Sequence, residues 1–371
     1  MPHRLLLIRD LAHPDQFRAA MRFHRMSGTL GGAVRCGITV TVSFLVVALA
    51  GHADLAGFAA LGALASLYGR DEVPAWRWRL MTLAGASLVA TIALGTVLTG
   101  WDAPTVVLLL AVAVIAALAT AACAALRSGP PGGTIIVFAA GAGLAPGGEG
   151  ALVERTVTTL VGALIALLVC NADGVLRLVR RQPLGSAPRL RDLLPDSAAL
   201  GSALLVFCAS VAAGAIAEVA GWGHPAWAAM GATAVLHGRD VHHMGQRAIQ
   251  RGLGTLGGAA IAVPLLAAPL PFWAVAALVV VLQVVTELIV GRHYGLAMLT
   301  ITPMALLMTS IGGATDPVTL AVDRGLDTLV GAVIGVAVAV IAARPGAPAT
   351  ESGDPVAETP AVTVPVPPAS R

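Results

Sequence analysis

Twelve apolar runs, each closed by charges or by Gly and Pro, divide most of this sequence. They lie near Gly31 to Ala50, Ala53 to Tyr68, Leu80 to Leu98, Pro104 to Ala125, Gly132 to Leu144 and Leu152 to Asn171. A second series follows near Ala198 to Ala220, Pro225 to His237, Gly252 to Ala268, Phe272 to Gly291, Tyr294 to Ile311 and Pro317 to Ala343. About 20 apolar residues cross a ~30 Å hydrocarbon core as a helix. The pattern therefore predicts an all-α polytopic membrane protein of about twelve transmembrane helices. Only 12% of residues are charged and 57% are hydrophobic, against roughly 25% charged in soluble domains, which excludes an ordinary water-soluble enzyme.

The runs form two sets. Shifting the chain by 169 positions lays Gly69-Arg70-Asp71 on Gly238-Arg239-Asp240, Gly62 on Gly231, Gly85 on Gly254 and Arg155 on Arg324. Thr159-Leu160-Val161-Gly162-Ala163 returns as Thr328-Leu329-Val330-Gly331-Ala332. The expected organisation is a transmembrane repeat at 31–172, a linker at 173–197 and a second repeat at 198–343. An even number of spans per repeat makes the two parallel, related by a pseudo-twofold axis along the membrane normal.

Topology follows from the basic residues, all of which are Arg. With the N-terminus cytoplasmic, every arginine except Arg35, Arg155 and Arg324 falls in an inside segment, including Arg177, Arg180, Arg181, Arg189 and Arg191 of the linker. The outside turns hold Asp54, Asp102, Glu149, Glu218 and Asp316. Both termini are expected inside, in a bacterial plasma membrane given the Lys-free, Ala-, Gly- and Arg-rich usage.

Residues 1–30 interleave Arg18, Arg22 and Arg25 with Phe17, Met21 and Met26, the pattern of a cationic amphipathic segment lying on membrane lipids. A solvated basic tail fits the same residues. Ala48-Leu49-Ala50 resembles a signal cleavage site, but the repeat partners the first span with Ala198 to Ala220 and keeps it as a helix. The Pro-rich stretch at 344–371 has no apolar periodicity and is expected to be disordered. Cys36, Cys123, Cys170 and Cys208 sit in apolar runs, as packing residues do.

Walker, GxSxG and HExxH motifs are absent, so neither an enzyme nor a cofactor is expected. His242-His243 point apart on a helix and lack a third ligand, which disfavours a metal and suits a cytoplasmic loop. Low net charge, +3, argues against nucleic acid. The chemistry rests on charges within spans, since a cation there costs ~2.5 kcal/mol or more and faces the bundle interior, a partner or water. Arg35, near the inner end of its span, is placed to snorkel. Arg155 and Arg324 open the last helix of each repeat, with Thr158 and Asp327 at equivalent positions one turn on. Two guanidiniums near the axis would form a forked anion site. Alternatively each pairs with a nearby acid, as Arg324 can with Asp327, or snorkels outward. Glu287, one turn after Gln283, is a candidate proton carrier, and it can equally reach Arg292 on its own helix. Gly331 with Gly335, and Gly162 with Ala166, form small faces for close helix packing.

Arg247, Arg251, Gly254, Thr255 and Gly258 form an R-x-x-x-R-x-x-G-T-x-x-G pattern preceded by Trp227. This resembles the cytoplasmic motif of the fusaric acid resistance protein-like (FUSC) family of aromatic acid exporters. Asp323 to Gly331 is similar to that family's last-helix signature, and the six-helix half is more distantly similar to plant malate channels. The first half departs from the pattern, with Thr82 where the repeat places Arg251. The resemblance covers residues 30 to 343 in a short form without a large cytoplasmic domain. It implies export of small organic anions, aromatic carboxylates foremost; the charges within spans then make Arg155 and Arg324 the expected carboxylate ligands and Glu287 the expected proton relay. A passive organic-anion channel and a non-transporting envelope scaffold are the alternatives.

Overall fold

The computed structural model describes residues 2–11, 13–23, 30–188, 193–238, 240–311 and 316–343. The Pro-rich tail at 344–371, together with Arg25, Met26, Arg189 and Arg191, lies outside them. Among the described residues all regular structure is helical. Two short helices, α1 (Pro2–Leu11) and α2 (Pro14–Ala20), lead into α3 (Leu30–Leu49), α4 (Ala56–Ala63, between 3-10 turns), α5 (Pro74–Gly100), α6 (Thr105–Ala125), α7 (Thr134–Gly143) and α8 (Ala151–Cys170). After α9 (Ala172–Val179) come α10 (Ser197–Val219), α11 (Pro225–Leu236), α12 (Val241–Ala267), α13 (Phe272–Ile289), α14 (Tyr294–Ser310) and α15 (Pro317–Ala342).

Start signals in the sequence explain several boundaries. Asp196, Asp240 and Asp316 cap α10, α12 and α15 by accepting from the backbone N–H of Ala199, His243 and Thr319 at 2.7, 2.9 and 2.7 Å. Pro74, Pro225 and Pro317 each open a helix, where the missing N–H costs nothing.

Eight helices, α3, α5, α6, α8, α10, α12, α13 and α15, are long and apolar enough to cross a membrane. The chain is a multi-pass membrane protein. The other four predicted spans fall on helices of 10–17 residues, the shortest segments being too brief for a full crossing at 1.5 Å per residue. Hydropathy alone does not separate these cases, because the short helices are apolar on all sides. On α11 every residue from Ala226 to Leu236 is buried, so it is interior to the protein and has no lipid-facing stripe.

Glycines set the closest crossings. A β-carbon on Gly162 would lie 1.9 Å from the Ala59 carbonyl oxygen, and one on Gly331 would lie 2.2 Å from that of Ala228. In each case the last long helix of a half touches the backbone of that half's short second helix. Such contact is how helices associate where lipid removes the hydrophobic drive. Across the halves the contacts are reciprocal: α6 packs on α10 and α13 on α3, while α7 meets α11 and α4 meets α14. Val279, Met304, Leu307 and Met308 of the second half complete a core of first-half residues, and Val112, Ala116 and Val137 do the converse.

The chain ahead of each half is not a free surface segment. Gln246 on α12 donates to Gln16 at 3.1 Å, and Gln250 donates to the Ala20 carbonyl at 2.6 Å. In the linker, Ala75 N–H donates to the Leu184 carbonyl at 3.2 Å.

Candidate functional site

Arg247, Arg251 and Thr255 are spaced by four and share one face of α12. Arg251, 2% exposed, donates from Nη1 to the Tyr294 hydroxyl at 2.6 Å. Arg247 lies with its guanidinium 4.5 Å from the Tyr294 ring centre and donates from Nε to the Ala234 carbonyl at 3.0 Å. The accompanying glycines let α14 come close. A β-carbon on Gly254 would sit 2.3 Å from the Gly295 carbonyl oxygen, and one on Gly258 would sit 2.7 Å from Thr302 Cβ. The motif thus lies on a long helix, with its arginines tied to the first residue of α14 and its glycines forming the contact.

From α15, Arg324, Asp327 and Thr328 enter the same packed group of α11, α12, α14 and α15. Arg324 is 2% exposed and Asp327 is fully buried. The Arg324 guanidinium lies 5.0 Å from the Trp227 ring centre and 5.9 Å from that of Phe138 on α7. Arg251 Nε and Nη2, Arg324 Nε and Nη1, both Asp327 carboxylate oxygens, and the hydroxyls of Thr255, Thr302 and Thr328 are buried without a hydrogen-bond partner in the protein. Native interiors leave few such groups, because each costs about 1–3 kcal/mol. Nine of them lie on three neighbouring helices, α12, α14 and α15. Arg324 and Asp327 stand one turn apart on α15, yet the Asp327 oxygens accept no hydrogen bond.

The first half is finished differently. Arg155 donates from Nη1 to the Ala145 carbonyl at 2.7 Å and from Nη2 to the Pro146 carbonyl at 2.6 Å, with Phe58 5.1 Å away. Phe58 and Trp227 stand 169 residues apart, as Arg155 and Arg324 do, and each of these arginines lies over the aromatic ring on the short helix it packs against. The two guanidiniums share no partner, and the structure does not join them into one fork. Thr158 is buried at the Asp327 position. Thr82, standing where the second half has Arg251, turns its hydroxyl back to the Trp78 carbonyl at 2.9 Å.

Glu287 does not reach for Arg292. It pairs with Arg70, in the loop between α4 and α5 of the other half, and accepts from Gln283 Nε2 at 3.2 Å. Arg35 is half-buried near the start of α3. His242 and His243 belong to the first turn of α12 and not to a loop. Among the described residues no group of three His, Cys, Asp or Glu could hold a metal ion.

Outside the spans, the His224 ring stacks on Trp227 at 4.0 Å with a 9° interplanar angle. It also faces Asp323 Oδ2 at 3.6 Å. Burial pushes its imidazole below the ordinary histidine range, against the opposite pull of Asp323. Phe138, Tyr294, Thr302 and His224 carried no motif of their own. The repeat offset that aligns Phe58 with Trp227 is the one signal that could have singled out the aromatic partners.

Residues 211–338 match the fusaric acid resistance protein-like family, a stretch running from within α10 through most of α15 and containing Trp227, Arg247, Arg251, Thr302, Arg324 and Asp327. No curated protein and no solved structure matches the chain.

Proposed function

We propose that this chain, whose residues 211–338 match the fusaric acid resistance protein-like family, is a membrane efflux protein that exports small organic anions, aromatic carboxylates foremost. The observation that carries the reading is the set of unpartnered guanidinium donors on Arg251, which is tied to Tyr294, and on Arg324, which lies beside Trp227 and Phe138. A carboxylate fits the planar donor fork of a guanidinium, and the neighbouring rings offer an apolar wall for the rest of the substrate. Arg324 is the primary anion ligand and Arg251 a second, with Thr255, Thr302 and Thr328 supplying hydroxyls. Asp327 competes with the substrate for Arg324. Arg155, whose donors end on backbone carbonyls, has the weaker claim to substrate. A proton relay through Glu287 requires release from Arg70.

The same proposal includes two parallel repeats of six membrane-embedded segments, a cytoplasmic N-terminus and a bacterial plasma membrane. Contacts along the α4 segment support its spanning role. Leu55, at its start, clusters with Val47 near the end of α3, and Ser66, at its end, donates to Cys36 near the beginning of α3 at 3.4 Å. The short helix and its flanking turns therefore run back along α3. Cysteines introduced at Gly148 and Ser186 test the topology in intact cells: impermeant reagents should label position 148 alone.

Function is tested by efflux of benzoate and related acids from proteoliposomes, with and without an imposed pH gradient. Flux lost in Arg324→Ala at equal folded protein is expected. Current that persists without a gradient would assign a passive channel, and wild-type flux in Arg324→Ala would remove the site from the path.

A further inference from the structure

The N-terminal segment crosses the cytoplasmic ends of the helices that carry the buried arginines. Arg4 donates to the Ile341 carbonyl at the end of α15 at 2.6 Å. Leu11 covers Gly245, where a β-carbon would lie 2.6 Å from Leu11 Cδ2. Gln16 and the Ala20 carbonyl accept from Gln246 and Gln250, and the Phe23 ring lies 5.0 Å from that of His293, just ahead of α14. Ala20 is fully buried. The segment is thus seated on α12, α14 and α15 together, next to Arg247, Arg251 and Tyr294.

Its other face is unspent. Ile8, Phe17 and Met21 are exposed beside exposed Arg9, Arg18 and Arg22, and the Arg18 guanidinium bonds to Asp15 within its own helix. Apolar residues alternating with arginines are what an anionic lipid surface binds. The linker makes a comparable crossing onto the start of α5, where Gly185 packs on Val73, but it is fastened by the ionic contact of Asp173 with Arg77 and lies between two spans. The side-chain hydrogen bonds that seat the N-terminal segment on α12 are neutral amide contacts, each worth about 0.5–1.5 kcal/mol net.

We propose that residues 2–11 and 13–23 form a lid over the cytoplasmic approach to the Arg251 and Arg324 cluster, and that anionic phospholipid opens it by drawing the segment onto the membrane. The effect on flux rests on the transport reading above; the docking equilibrium does not.

Two measurements on the full chain separate these. In nanodiscs of phosphatidylcholine, a Gln250→Cys variant in a Cys123→Ser/Cys208→Ser background should react slowly with a maleimide. Phosphatidylglycerol should speed the reaction about tenfold or more, from three arginines near an anionic surface. An Arg9→Gln/Arg18→Gln/Arg22→Gln variant should lose that lipid dependence and stay slow. Equal rates in the two lipids would overturn the lid whatever the protein transports. In proteoliposomes containing phosphatidylglycerol, bridging a Gln16→Cys/Gln246→Cys pair in the same background with a short bis-methanethiosulfonate should stop benzoate efflux, and reduction should restore it. Unchanged efflux in the cross-linked protein would also overturn the lid. Lipid-dependent labelling with no benzoate flux in any state would keep the lid and sink the transport reading.

Discussion

The guanidinium of Arg324 lies 5.0 Å from the centre of the Trp227 ring, and 169 residues earlier Arg155 lies 5.1 Å from that of Phe58. A desolvated cation over an aromatic face is worth about 2 kcal/mol, so this contact helps to hold an arginine whose Nε and Nη1 have no hydrogen-bond partner in the protein. Trp227→Leu should lower anion flux about tenfold at equal folded protein, and Trp227→Phe by much less. The check is initial-rate flux normalised to folded protein.

Arg155 and Arg324 should part company under mutation. Arg155→Ala removes two charge-assisted donors from backbone carbonyls, a loss of roughly 1.5–3 kcal/mol for each bond, and should lower detergent thermal stability while leaving flux per folded molecule near normal. Arg324→Ala should do the reverse. Equal flux losses in the two variants would restore the symmetric fork that the sequence suggested.

Arg70 and Glu287 join the two halves through a largely buried ion pair. Removing one partner of such a pair costs on the order of 3 kcal/mol, so Glu287→Gln and Arg70→Gln should each destabilise, and the double variant should lose less than the sum. A thermal-melt double-mutant cycle measures the coupling. Additive losses would deny the clamp.

The Asp173 carboxyl, beyond the end of α8, is held below the usual aspartate range by the hydrogen bond it accepts from Arg77. Because the folded pKa is depressed, its stabilisation is present above the unfolded value of about 3.9 and fades as pH falls through the folded one. Melting temperatures of the protein and of Asp173→Asn should differ at neutral pH and converge at the acid end of the scan.

Glycine replacements should differ in sign. Gly331→Ala drives a β-carbon to 2.2 Å from the Ala228 carbonyl oxygen and should prevent close packing of α15 on α11. Gly201→Ala, within α10, meets nothing within 4 Å. It should stabilise by up to about 1 kcal/mol through helix propensity. Detergent melting curves of the two variants decide both.

Much of this architecture is legible in residue order, because proline, aspartate caps and glycine punctuate the apolar runs. The run read at Pro225 to His237 is α11, Pro225–Leu236, and that at Phe272 to Gly291 is α13, Phe272–Ile289. The beginnings of α5 and α12 were missed by several residues. Hydropathy drops at Arg77 and Arg79 and at Arg247 and Arg251, whereas backbone hydrogen bonding continues through charged turns outside the lipid. Contacts distant in sequence were beyond reach for another reason. Arg70 meets Glu287 only once the halves have docked, and Gln16 meets Gln246 only once the N-terminal segment lies on α12; the local pattern around each residue suits solvent or lipid equally well.

The short helices also bear on how voltage is felt. A helix of ten residues such as α7 is ~15 Å long, half the ~30 Å apolar slab. Its polar loops, Gly129 to Gly133 before it and Ala145 to Gly150 after it, therefore cannot both stand outside that slab. Where aqueous ends approach one another, the membrane potential falls over a shorter distance. The total work of ~2.3 kcal/mol per charge per 100 mV is unchanged. On the path proposed above, that work would be compressed into a brief, steep passage past Phe138, whose ring centre lies 5.9 Å from the Arg324 guanidinium.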